Sequence, residues 1–86
     1  MWVVATITVL YFAGARDAAG TGEETLELPS GVSSVAALSR HLGSLHPGLA
    51  PYLDALRFAV NETFASGADS VTDGDTVALI PPVAGG

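Results

Sequence analysis

Cysteine and lysine are both absent from this 86-residue chain. Without cysteine there can be no disulfide, no thiolate zinc site and no cysteine nucleophile, which fits a reducing compartment. The only cations besides histidine are Arg16, Arg40 and Arg57, set against nine acids for a formal charge of −6. No basic patch can form, which argues against nucleic acid as a partner. A partner with a basic surface matches this charge better. Long apolar runs are missing too. Trp2 to Phe12 is mostly apolar but carries Thr6 and Thr8 and has no basic leader. It falls short of the roughly 18 apolar residues of a membrane span and does not read as a signal peptide. The expectation is a cytoplasmic protein with no membrane partner.

Side chains able to do chemistry are equally sparse. The two histidines, His41 and His46, have no ligand cluster around them in sequence, and read as a solvated helix residue and a helix-end residue. Asp69, Asp73 and Asp75 lack the spacing and closing Glu of a calcium loop. No serine stands in a pattern that suggests a paired base. The glycines of Ala13 to Gly22 are not followed by Gly-Lys-Ser/Thr, so they form no phosphate loop. No metal site and no catalysis by the isolated chain are expected.

What is present is an apolar fraction of 49%, enough for one small core and no second domain. Trp2 to Phe12 alternates as a strand, with Ile7, Val9 and Tyr11 inward and Thr6, Thr8, Leu10 and Phe12 outward. Ala13 to Gly22 reads as a loop, with at most one helical turn over Ala15 to Ala19. Glu23 to Leu28 is a second strand with Leu26 and Leu28 inward. Val35, Leu38, Leu42 and Leu45 recur at helical spacing behind Ser34, the expected N-cap. Leu49 to Leu53 suggests a short helical turn. Leu56 to Val60 is a strand, Asn61-Glu62-Thr63 a turn, and Asp73-Gly74-Asp75 a turn into a last strand with Val77 and Leu79 inward. This order predicts an α+β fold: a ubiquitin-like β-grasp, with a mixed sheet of four to five strands packed on one main helix. Its first and last strands should pair in parallel at the centre.

The last strand runs into Pro81-Pro82-Val83-Ala84-Gly85-Gly86. Prolines have no N–H for a ladder, so the sheet ends at Ile80. The chain divides into a body, 1–80, and an extended tail, 81–86. Fully extended, six residues reach about 20 Å, enough to enter another protein's pocket. Glycine suits a reactive terminus because no Cβ crowds the acyl carbon. With side-chain chemistry lacking, the reactive group falls on the main-chain carboxylate of Gly86. A composition biased toward Arg and Ala accounts for the missing lysines. Their absence also leaves an activated terminus no side-chain amine to attack it.

The stretch Val9-Leu-Tyr11-Phe12-Ala13-Gly-Ala-Arg16-Asp17-Ala-Ala-Gly20 resembles the aromatic-Phe-Ala-x-x-Arg-acid-x-x-Gly signature of the small, MoaD-type subunit of molybdopterin synthase. Ala59-Val60-Asn61-Glu62, Asp73 to Ala78 and the ending Pro81 to Gly86 extend the resemblance along the whole chain. The resemblance implies a sulfur carrier of the MoaD/ThiS family. An E1-like adenylyltransferase would adenylate Gly86 with ATP, and a sulfur donor would convert it to a thiocarboxylate. The tail, Pro81 to Gly85, would carry that sulfur into the large synthase subunit, to cyclic pyranopterin monophosphate. It implies a heterotetramer of two large and two small subunits, and no cofactor bound to this chain. Leu10, Phe12, Phe64 and Ile80 are the expected apolar partner interface, with Arg16 as a candidate ion-pair donor. The longer apolar start, Met1 to Ala5, departs from the family pattern. Alternatives are a related carrier for thiamine, cysteine or tRNA thiolation, or a ubiquitin-like protein modifier.

Overall fold

The computed structural model describes residues 4–82. Val83, Ala84, Gly85 and Gly86 lie outside the described residues, as do residues 1–3. The chain forms β1 (Thr6–Tyr11), α1 (Ala13–Ala19), β2 (Glu23–Glu27) and α2 (Val35–Leu45). A 3₁₀ turn (Ala50–Tyr52), β3 (Arg57–Val60), β4 (Thr63–Ala65) and β5 (Thr76–Ile80) follow. The strands make one mixed sheet in the order β2-β1-β5-β3-β4. β1 and β5 pair in parallel, with Val9 opposite Val77 and Tyr11 opposite Leu79. The other neighbours are antiparallel. This is the expected β-grasp.

The alternation decides the two faces. Ile7, Val9 and Tyr11 of β1 and Val77 and Leu79 of β5 are buried, and Phe58 joins them from β3. Val35, Leu38 and Leu42 of α2 pack onto this side, with Leu49, Val71 and Ala15 completing the core. The stripe is one residue shorter than its spacing predicts. Leu45 is 44% exposed, because α2 ends there and the chain turns away at His46. Ser34 caps the helix as expected, its Oγ accepting from the Ala37 N–H at 3.2 Å.

Two other expectations are corrected. Among the described residues β1 begins at Thr6, with Val4 and Ala5 outside it, and Trp2 and Val3 of the expected strand lie outside the described residues. The segment read as a loop is a full helix over Ala13–Ala19. Glycine-rich composition hid it. Gly20 closes α1 with φ of 80°, its N–H donating to the Arg16 carbonyl, so this glycine is a C-cap rather than part of a loop. Gly43 has a packing role within α2. A Cβ there would meet Leu53 Cδ1 at 2.9 Å, so glycine lets the 3₁₀ segment lie close against the helix.

Candidate functional site

The site is built around the end of β5. That strand lies between β1 and β3, so its exit point is held from both sides. Its start is fixed by a polar clasp. Asn61 Oδ1 accepts from the Thr76 N–H at 2.9 Å, and Asn61 Nδ2 donates to Asp75 Oδ1 at 2.9 Å. Asp75 Oδ2 also accepts from the Thr72 N–H at 2.9 Å. The backbone bond from Thr72, followed by that from Asn61, holds the Asp75 carboxyl below the usual carboxylate range. At the exit end the Phe12 N–H donates to the Leu79 carbonyl at 3.2 Å. Pro81 is half-buried and Pro82 exposed. The ladder stops there because the prolines have no N–H to offer.

The sheet face turned away from α2 presents a continuous row. Glu23, Leu10, Ala78, Ala59 and Phe64 stand opposite one another across all five strands. Ile80 stands one step nearer the exit, opposite Arg57. Phe12 continues the alternation of β1 on Leu10's side, with extended backbone. Phe12 is 47% and Phe64 63% exposed, whereas Leu10 and Ile80 are half-buried. Four of the five residues expected at an interface therefore share one open face beside the exit of β5. Arg16 does not join them. It sits on α1 with its side chain against Gly22. Arg57 is the cation on this face, with its guanidinium carbon 5.5 Å from the centre of the Phe64 ring. Sequence reasoning passed it over, although it shares the parity of Ala59.

Behind the sheet, Tyr11, Glu24 and His46 meet. The Tyr11 hydroxyl and His46 Nε2 both reach Glu24 Oε1, at 2.5 and 2.7 Å. The Tyr11 and His46 rings pack edge to face with centroids 5.6 Å apart. Burial pushes the Tyr11 hydroxyl far up, and the adjacent Glu24 adds to this. Burial also pushes Glu24 up, but the hydrogen bonds from Tyr11 and His46 and the pull of the imidazole outweigh it and hold the carboxyl below its ordinary value. The trio ties the end of α2 to β1 and β2. The inward parity of Glu24 with Leu26 and Leu28 was the available signal. Among the described residues no group of three or more His, Cys, Asp or Glu could hold a metal ion. No helix of the described residues is long and apolar enough to cross a membrane.

A five-stranded mixed sheet gripping one main helix, with its central strand leading out through two prolines, defines a ubiquitin-like β-grasp protein. The ThiS family model matches residues 9–86, and the chain belongs to that family. It is 39% identical over 82 residues to the molybdopterin synthase sulfur carrier subunit of Chlamydomonas reinhardtii, covering 93% of this chain and 98% of the relative. A structure from Pyrococcus furiosus, assigned as molybdopterin converting factor subunit 1, superposes with a TM-score of 0.77 at 29% identity, over 92% of this chain and 99% of that one. A chain of the complex of subunits 1 and 2 of molybdopterin-converting factor from Helicobacter pylori shares the fold. Its TM-score is 0.68 at 22% identity, over 94% of this chain and 99% of the matched chain.

Proposed function

We propose that this chain is the sulfur carrier subunit of a molybdopterin synthase. The observation that carries the reading is the near end-to-end match to a subunit of that name. The sheet supports it mechanically, because the central strand gives Pro81 and Pro82 a root held from both sides. In this reading the body is 1–80 and the tail 81–86. An E1-like adenylyltransferase joins the Gly86 carboxylate to AMP at the expense of ATP, with release of pyrophosphate. A donor's sulfur then displaces AMP and leaves a thiocarboxylate. That group is an ionised sulfur nucleophile at neutral pH. Pro81 to Gly85 deliver it into the large synthase subunit, where it attacks cyclic pyranopterin monophosphate on the way to the dithiolene. The chain holds no cofactor of its own. The large subunit supplies the positive charge that a chain of net −6 lacks.

Leu10, Phe12, Phe64 and Ile80 are the docking face in this reading. Exposed aromatics beside the tail root are the kind of residue that anchors an interface. The complex of subunits 1 and 2 of molybdopterin-converting factor from Helicobacter pylori is the precedent for the proposed large-subunit partner. The assembly is a heterotetramer of two large and two small subunits, working in the cytoplasm. Intact-mass measurement after incubation with ATP, the activating enzyme and a sulfur donor tests the carrier step. Exchange of one terminal oxygen for sulfur is the expected result. An unchanged mass under conditions where a known carrier reacts would sink the reading.

A further inference from the structure

On the other side of the tail root lies a second concavity of about 710 Å³, between α1 and the 3₁₀ turn. Its walls include Gly14, Asp17, Tyr52 and Leu56, and its edge is formed by Pro81 and Pro82. Tyr52 is 57% exposed although it is among the largest side chains here. Among the described residues Asp17 is the only ionisable group lining the cavity apart from that tyrosine. A carboxylate on an otherwise apolar wall disfavours a phosphate or other anion as occupant and favours a cation.

We infer that this groove takes an apolar side chain of the large synthase subunit, with an Arg or Lys of that subunit placed over Asp17. The inference rests on the sulfur carrier reading. Continuity argues for the large subunit. The same prolines that start the tail form the groove's edge, so a protein that admits the tail past Pro82 brings its rim against Tyr52 and Asp17. Charge argues in the same direction, because an acidic chain presents a lone carboxylate where the receiving protein must close. The tail root is then gripped from two sides, by the open sheet face through Phe12 and Ile80 and by the groove through Tyr52. It also gives a role to Asp17, which neither the terminal chemistry nor the sheet face uses.

Gly14 makes the groove testable. A Cβ there meets nothing within 4 Å, and its φ is not in the left-handed range, so a side chain at this position starts in open space and Gly14→Trp is directed at the cavity. The experiment is isothermal titration of the full chain into the isolated large subunit. Gly14→Trp and Asp17→Arg should each weaken binding by about tenfold or more. Glu62→Arg makes the same change in charge at an exposed turn position outside the groove, at the end of β3 away from Ile80, and should change binding by less than about threefold. Circular dichroism checks that each variant is folded, and Asp17→Arg tests the groove even if the tryptophan does not fit. Wild-type affinity in either groove variant overturns the inference, as does an equal loss in Glu62→Arg. Absence of any binding by the unaltered chain overturns the sulfur carrier reading along with it.

Discussion

Tyr11 and Glu24 sit 13 residues apart in the chain and 2.5 Å apart in space, hydroxyl to carboxylate. Tyr11 is almost fully buried, and the bond crosses from β1 to β2. Removing the hydroxyl takes away a hydrogen bond to a charged acceptor while leaving the ring in place. Tyr11→Phe should therefore lower unfolding stability by about 2 kcal/mol. Urea denaturation followed by circular dichroism measures it, and a loss below about 0.5 kcal/mol would show that His46 alone satisfies Glu24.

The same carboxylate makes the fold acid-sensitive. The Glu24 carboxyl has a lower pKa folded than unfolded, and so does that of Asp75. Each contributes stability that is present above its unfolded pKa and lost as pH falls through the folded one. Unfolding free energy should be level near neutrality and decline below the ordinary carboxylate range. Glu24→Gln should flatten part of that decline. Thermal melts from pH 7 to pH 3 check it, and an unchanged acid limb in Glu24→Gln would refute the assignment.

Asn61 and Glu62 connect β3 and β4 with φ of 50° and 71°, both in the left-handed region. A two-residue hairpin asks for this, and asparagine tolerates it well. Glutamate does not, and glycine would adopt it freely. Glu62→Gly should stabilise the protein by about 1 kcal/mol. A higher midpoint in denaturant is the expected result, and a lower one would mean that the Glu62 side chain contributes something glycine cannot.

Phe64 stands 63% exposed beneath Arg57. Phe64→Ser should cost less than about 1 kcal/mol in stability, because little is unburied and only a surface cation–π contact is lost. Affinity for the large subunit should fall by about tenfold or more. Comparing melting temperature with a titration separates the two effects. A large drop in stability with unchanged affinity would make Phe64 a packing residue.

Deletion of Gly86 should leave the melting temperature unchanged, since the core lies within residues 7–79. It should abolish sulfur transfer in a reconstituted synthase. Normal product formation with the shortened chain would place the reactive group elsewhere.

The fold was largely legible because strands one and five carry their alternation openly. Ile7, Val9, Tyr11, Val77 and Leu79 all point where parity puts them. Most of the open face followed from the same rule, since Leu10, Phe12 and Ile80 are the complement of that set, whereas Phe64 was reached only as a residue following a turn. α1 was hidden because Gly14 and Gly20 mimic a loop, and only the left-handed geometry at Gly20 reveals a cap. The Tyr11–Glu24–His46 trio joins three elements, and no local pattern relates positions 22 residues apart. The groove lined by Asp17 and Tyr52 was illegible for the same reason, because its walls come from separate segments.

β5 follows every other strand in the chain, yet it occupies the middle of the sheet. Its partner β1 lies near the opposite end, with Thr8 opposite Thr76. Loop closure over such a span is slow, and the centre of the sheet stays vacant until it happens. A nascent or truncated chain without β5 cannot complete its core, and so has no rigid root from which to offer a carboxylate. The root of the terminal segment is therefore the last part of the sheet to be secured.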